Sequence, residues 1–219
     1  LSFHASSSAA RVNLIFLERN ARLKLFVREN STEEKNLLLQ KTVFFLDEGS
    51  VLEYCSLQEH GLHSFSFHSK EFLFSSGASA RLSHGEFGGK LSRVLVNQRF
   101  AGSGSRCEAN HAVFFSSKEQ HKDFTTNAFH SGVNTKSDIV VKGVLQGKSS
   151  SVYRGLISIG KNAVNTDSFL EDRVLHMGKG AQSNSIPSLR IDNNEVKASH
   201  GASISNVAEE ELFYLQSRG

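Results

Sequence analysis

Apolar and polar residues alternate with a period of two along most of this chain, and this alternation predicts β-strands. One early segment places Leu23, Leu25 and Val27 on a single face. Further alternating segments carry Val51, Glu53 and Cys55 opposite Leu52 and Tyr54, then Phe65 and Phe67, Phe72 and Phe74, Leu91, Arg93 and Leu95, and Ile139 and Val141. Helical periodicity is nearly absent before Val207, so the expected fold class is all-β.

Small-residue turns recur between the strand segments. In chain order they are Gly49-Ser50, Gly77-Ala78, Gly104-Ser105, Gly132-Val133, Gly180-Ala181 and Gly201-Ala202. The first four follow one another at nearly equal intervals, while the last two are closer together. A fixed period of this size indicates a repeat architecture rather than a layered globule.

Short strands in a repeating pattern predict a β-solenoid, in particular a right-handed parallel β-helix. Seventeen phenylalanines and no tryptophan suit a narrow interior in which flat rings stack between successive coils. An antiparallel sandwich is the alternative, because it also has short strands separated by closely spaced turns.

The end of the chain has a different pattern, which predicts a short C-terminal helix. Asn206 is a good capping residue, and the acidic run Glu209–Glu211 favours the positive end of a helix dipole. Leu212 and Leu215 are expected to pack on the last coil. We therefore expect a β-helix core over residues 1–204 and the start of a helical segment over residues 205–219.

Length and charge restrict the possible function classes. A chain of 219 residues can bury roughly 70% of its unfolded surface, which is enough for one domain without disulfides. A net charge of +3 with mixed signs gives no basic footprint, so no nucleic-acid partner is expected. No apolar run of about 18 residues and no signal peptide is visible, which predicts a cytoplasmic protein, or one in a plastid, without a membrane partner.

Two cysteines, Cys55 and Cys107, are too few for a disulfide scaffold and too far apart for a CxxC zinc site. We interpret them as reduced thiols that act as small apolar residues of strands.

The stretch from Lys197 to Gly219 contains Ser-His-Gly-Ala-Ser, an acidic patch, Leu-Phe-Tyr-Leu and Ser-Arg-Gly. In residue type and spacing it resembles the C-terminal end of the core domain of the SufB and SufD subunits, which build iron–sulfur clusters with a SufC-type ATPase. Upstream, the segments Asp138–Gly143 and Ser151–Ile159 resemble paired rungs of that core, and Pro187 stands in a similar Pro-x-Leu strand.

The resemblance implies a parallel β-helix and a non-catalytic scaffold role. The expected partners are a SufB-like subunit, or a second copy, and a SufC-like ATPase that docks through the segment after Gly219. His200, in the Ser-His-Gly-Ala turn, is then expected to hold iron or a transient iron–sulfur cluster at the subunit interface. Imidazole suits this role, since it can replace a thiolate on a cluster iron. The alternative is that His200 only hydrogen-bonds the turn.

Departures from the family pattern indicate a SufD-like chain. Ala198 replaces a cysteine that SufD-type subunits often carry, and Glu171–Arg173 occupies the place of a SufB-type cysteine. Arg93 stands at another cysteine position, while Ser199 and Gly201 replace glutamates beside the histidine. A thiolate sulfur acceptor is therefore not expected at these places.

Two other functions remain open from the residues alone. A carbohydrate-binding or carbohydrate-active β-helix would place acids on adjacent coils, and Asp167, Glu171 and Asp172 are the nearest candidates. A binding module without chemistry would recruit a partner through strand edges or faces.

Overall fold

The computed structural model describes residues 1–32, 35–206, 213, 214 and 216–218, and strands account for most of these residues. The strands of this described part are β1 Ser2–Ala5, β2 Ala9–Leu17, β3 Arg22–Ser31, β4 Leu37–Leu46, β5 Val51–Glu59, β6 Phe65–Phe74, β7 Ser79–Glu86, β8 Leu91–Phe100, β9 Arg106–Ser116, β10 His121–His130, β11 Lys136–Gln146, β12 Ser150–Ile159, β13 Asp167–Met177, β14 Gln182–Ile191 and β15 Lys197–Asn206.

Successive strands alternate between two sheets. The odd-numbered strands form one sheet in chain order from β1 to β15, which we call sheet A, and the even-numbered strands β2 to β14 form sheet B. Every pairing between described strands is parallel. Each coil thus contributes one strand to each sheet, giving about seven coils. The predicted parallel β-helix is confirmed, and the antiparallel sandwich is wrong.

The pairing register confirms the repeat period in the first half of the chain. Val51 pairs with Ser79, so the strands that follow the turns at Gly49 and Gly77 lie side by side in register. Later coils are slightly longer, as the pairing of Lys136 with Asp167 shows. The predicted turn at Gly49 is real: its backbone has φ +68°, and a Cβ there would overlap the side chain of Asn20. Glycine adopts this left-handed conformation without the steric cost that other residues have.

Alternation along each strand separates a buried face from an outer face, as predicted. In β5 the side chains of Leu52 and Tyr54 are buried, whereas Cys55 is exposed. Phe65 and Phe67 face outward, although they belong to the same strand, β6, as the buried Phe72 and Phe74.

Buried rings stack from coil to coil along the solenoid axis. The Phe44 and Phe72 ring centroids are 4.7 Å apart, and those of Phe74 and Phe100 are 4.6 Å apart. The Phe100 ring stacks in turn on His130 at 4.6 Å. In-register parallel strands place equivalent positions above one another, so the predicted stacking of aromatic rings is confirmed.

The end of the described solenoid differs in part from expectation. Gly201-Ala202 is not a turn, because both residues lie within β15. This strand extends to Asn206, and the predicted helix start over residues 207–212, together with Leu215, lies outside the described residues. Phe213, Tyr214, Gln216 and Ser217 have helical backbone. The division between a core and a helical segment at residues 204 and 205 therefore stays a prediction.

Candidate functional site

His200 lies in a strand and not in a turn, which corrects the sequence-based expectation. It is the fourth residue of β15 and pairs with Leu170 of β13. Serine, glycine and alanine around His200 favour a turn locally, but β15 pairs with β13 along its whole length and the backbone stays extended. A continuous ladder of hydrogen bonds outweighs this weak local preference.

The side chain of His200 belongs to the face that is inward in the preceding coils. Its partner Leu170 is fully buried, and residues paired in register project to the same side of a sheet. Ala198, two residues before His200, packs against the hydrophobic core, which confirms this orientation of alternate residues. His200 itself is exposed. It therefore lies at the open end of the solenoid, where the described strands add no further coil above it.

This open end, formed by β14 and β15, exposes several apolar side chains in addition to His200. Leu189 and Ile191 of β14 pair with buried isoleucines of β12 but are themselves 37% and 41% exposed. Ile204 of β15 is 48% exposed. The described residues leave these apolar side chains uncovered.

One coil below this end lies a buried acid, Asp172. It pairs with Ala202 of β15 and has no solvent-exposed surface. Its carboxylate and the neighbouring Ser185 hydroxyl both lack a hydrogen bond of ordinary length to other described residues, and Ser185 is the donor nearest at hand for the carboxylate. Burial raises the pKa of Asp172 to about 6, although the nearby Ser185 hydroxyl lowers it. The alternation of side chains along β13 turns Asp172 inward.

The three acids proposed for a carbohydrate site do not converge. Asp167 and Glu171 share the outer parity of β13, where Asp167 pairs with Lys136 at 3.8 Å and Glu171 with Arg173 at 2.6 Å. Asp172 points to the opposite side of the sheet. An acid pair flanking one glycosidic bond must face one space, so this set lacks the geometry of a glycosidase.

The described residues of this chain hold no cluster of three or more histidine, cysteine, aspartate or glutamate side chains that could bind a metal ion. Neither cysteine thiol lies at the open end. Cys107 is fully buried three strands away in sheet A, and burial raises the pKa of its thiol. Cys55 lies on the outer face of β5.

Sequence reasoning missed a buried polar cluster inside the first half of the solenoid. Lys70 Nζ donates to Ser56 Oγ at 2.8 Å and to His84 Nδ1 at 3.1 Å. Glu29 Oε2 lies 3.4 Å from His68 Nδ1. Because Lys70 stands two residues before the buried Phe72, the alternation of β6 could have revealed its inward position.

The acid and the two histidines of this cluster have shifted pKa values. Burial by itself would raise the pKa of Glu29, but His68 and Lys70 together lower it to about 2. Burial lowers the pKa of His68 to about 4, and it lowers that of His84 well below its ordinary value. Both rings are thus neutral near pH 7, with an ionised carboxylate beside them.

Within the described part of the chain, no helix has the length and apolar character needed to cross a membrane.

Comparison with known proteins gives one family. The family model for the SUF system FeS cluster assembly SufBD core domain matches residues 3–219. An iron–sulfur cluster assembly SufBD family protein of Porphyra purpurea is 36% identical over 119 residues, which cover 54% of this chain and 24% of the relative. The iron–sulfur cluster assembly protein SufB of Bacillus subtilis is 29% identical over 172 residues, covering 78% of this chain and 37% of the relative.

A SufBD family protein of Staphylococcus epidermidis is 28% identical over 168 residues, or 77% of this chain and 36% of the relative. The chain thus spans between about a quarter and somewhat more than a third of the length of these relatives. The family match covers residues 3–219, and both the parallel β-solenoid and the segment around His200 agree with it. The chain therefore belongs to the SufBD core-domain family of the SUF iron–sulfur cluster assembly system.

Proposed function

We propose that this chain is a SufD-like, non-catalytic scaffold subunit in iron–sulfur cluster assembly, and that His200 contributes to the assembly site. The observation that carries the proposal is the position of His200. It is an exposed imidazole on the inward face of the last described strand, at an end of the solenoid that also exposes apolar side chains. A metal-binding side chain within a surface suited to contact is expected where two subunits share a site.

The partner is a SufB-like subunit that covers the open end of the solenoid. Exposed Leu189, Ile191 and Ile204 supply apolar area for such a contact, and burial of apolar area drives most protein association. A second copy of this chain is the alternative occupant. A SufC-like ATPase would bind through the segment that follows Gly219.

The cluster is the cargo of this site and not a resident cofactor. His200 offers one neutral imidazole nitrogen, a ligand that suits iron and can replace a thiolate on a cluster iron. Since the described residues form no three-ligand cluster, the partner subunit supplies the other ligands and the sulfur. His200 then holds the iron or the nascent cluster in the shared interface.

The SufD-like assignment is supported by the residues that occupy the expected cysteine positions and by the burial of Cys107. Ala198 and Asp172 stand near the open end where a sulfur acceptor would need cysteine, and Cys107 is buried with its pKa raised. A thiolate is required to accept sulfur, so this chain is better suited to binding the product than to receiving persulfide sulfur.

Co-purification with SufB-like and SufC-like proteins, followed by anaerobic reconstitution with iron and sulfide, tests the proposal. We expect a complex whose cluster absorption is lost in His200→Ala. His111→Ala is the matched control, because His111 is an exposed histidine on the outer face of β9 in the same sheet.

A complex that forms normally in both variants but loses the cluster only in His200→Ala supports the site. If cluster formation is unchanged in His200→Ala, His200 has a structural role only. Failure to form any complex with the SufB-like protein overturns the scaffold assignment.

A further inference from the structure

Three lysines line one groove at the corner where the coils turn from sheet A into sheet B. Lys90 lies between β7 and β8, Lys118 between β9 and β10, and Lys148 between β11 and β12. All three residues are exposed. The groove therefore carries one cation from each of three successive coils, and we call these residues the lysine row.

The turns that carry the lysine row lie directly against one another. The backbone amide of His121 donates to the carbonyl oxygen of Lys90 at 2.8 Å, which joins the first turn to the second. A Cβ built on Gly147 would lie 3.4 Å from the backbone nitrogen of Lys118, so the third turn contacts the second. Neighbouring coils of a parallel sheet are about 4.8 Å apart, and the row thus extends about 10 Å along the solenoid.

Elsewhere on this solenoid, cations are paired with acids of the neighbouring coil. Arg19 contacts Glu48 at 2.7 Å, and Lys24 contacts Glu53 at 2.9 Å. The same arrangement recurs for Arg28 with Glu59, Arg81 with Glu108, Arg99 with Glu71 and Arg154 with Asp123. Among the described residues, no acid forms an ion pair with the lysine row, and Glu119, an acid that lines the groove, forms none either. Like charges on neighbouring strands destabilise a sheet, so an anion from outside the chain would relieve this repulsion.

We infer that the lysine row is a docking site for an acidic polypeptide segment of a partner protein. An extended segment that runs along the row presents alternate side chains to one side at intervals of about 6.6 Å, so its carboxylates can contact lysines of successive coils. Leu62 also lines the groove and is 37% exposed, which gives an apolar side chain between the acids a surface to contact. This site is separate from His200 and from the open end, and it does not depend on the proposed function.

Carboxylate suits this groove better than phosphate does. Bidentate recognition of phosphate favours arginine, because its guanidinium group presents a planar fork of donors. Among the described residues, no arginine lines the groove. Lysine is a point charge on a flexible stem, without a fixed direction of approach. Three such charges on three coils match carboxylates distributed along a chain rather than one compact phosphate group.

Fluorescence anisotropy with a fluorescein-labelled peptide of repeated Glu-Glu-Leu units tests the site on the full chain. We expect binding that weakens as salt is added, and that is weakened at least about threefold when all three lysines of the row are replaced by glutamine. The matched control replaces Lys24, Lys136 and Lys142 by glutamine. These lysines are exposed on the outer face of sheet A, and the control removes the same number of charges while its affinity should stay close to that of the wild type.

Equal losses of affinity in the two triple variants overturn the inference, because binding would then follow net charge alone. The same holds if the wild type binds no Glu-Glu-Leu peptide, or binds a Gln-Gln-Leu peptide equally well. A short polyphosphate that displaces the peptide and binds the lysine row more tightly makes the row a phosphate site and overturns the assignment to a polypeptide. Urea unfolding gives an independent readout: the variant without the lysine row should be at least as stable as the wild type, and a clear loss of stability contradicts the argument from repulsion.

Discussion

Replacing Gly143 with alanine should destabilise the solenoid, because the ring of Phe114 occupies the space that a Cβ needs. Gly143 lies in β11 and pairs in register with Phe114 of β9. A Cβ built on Gly143 overlaps three atoms of the Phe114 ring. The ring has little freedom to withdraw, since it is buried and stacks on Phe124 at 5.3 Å between centroids.

The expected magnitude follows from two opposing effects. Inserting a methyl group into a packed interior costs about 1–3 kcal/mol. Alanine also reduces the conformational freedom of the unfolded chain, which stabilises the folded state by about 0.4–1 kcal/mol. From the middle of each range we expect Gly143→Ala to lower the free energy of unfolding by about 1.3 kcal/mol. The Tm should fall by roughly 2–4 °C per kcal/mol for a chain of this size. Urea unfolding followed by circular dichroism measures this loss.

Gly201→Ala is the matched control, because Gly201 also lies inside a strand of sheet A. The nearest atom to a Cβ there is Glu171 Cγ at 4.0 Å, which is an ordinary contact. A second test combines Gly143→Ala with Phe114→Leu. If the clash is the cause, the double variant should lose less stability than the two single losses added together. Equal stability of Gly143→Ala and Gly201→Ala, or strict additivity in the cycle, would refute the reasoning.

Two further predictions concern buried titratable groups. Burial lowers the pKa of His68 and of His130 to about 4 from the ordinary value of 6.5. The unfolded chain therefore binds protons at these histidines before the folded chain does as the pH falls. The free energy of unfolding should decrease between about pH 6.5 and pH 4. His130→Gln should reduce this slope by up to about 1.4 kcal/mol per pH unit, and an unchanged slope in urea unfolding contradicts the assignment. Maleimide should label the exposed Cys55 in the native chain but Cys107 only after unfolding, as mass spectrometry would show; equal labelling rates would exclude a buried Cys107.

The coil architecture was accessible from the sequence because its signal is local and repeated. Alternation placed Leu52 and Tyr54 on the buried side of β5, and the spacing of Gly49 and the next turns gave the coil length. These positions follow from the pleat of a strand and the conformational freedom of glycine, which do not depend on distant residues.

The position of His200 was only partly predictable. Resemblance to the family selected the residue, but the small residues around it predicted a turn where the structure has β15. The error arises because pairing with β13 decides the backbone there, and each pairing partner lies a full coil earlier in the chain. Composition within a few residues carries no information about such a partner.

Sequence alone determined that this chain forms strands in coils of nearly constant length. The segment around His200 also indicated the family to which the chain belongs. Tertiary structure decided which polar residues enter the interior and which face the open end. Lys70 and Asp172 are ionisable residues, yet both are buried. Alternation along the strand places their side chains on the inward face of the sheet, and the neighbouring coils exclude solvent from them. His200 has the same inward parity as its paired residue Leu170 but stays exposed, since the described strands place no further coil above it.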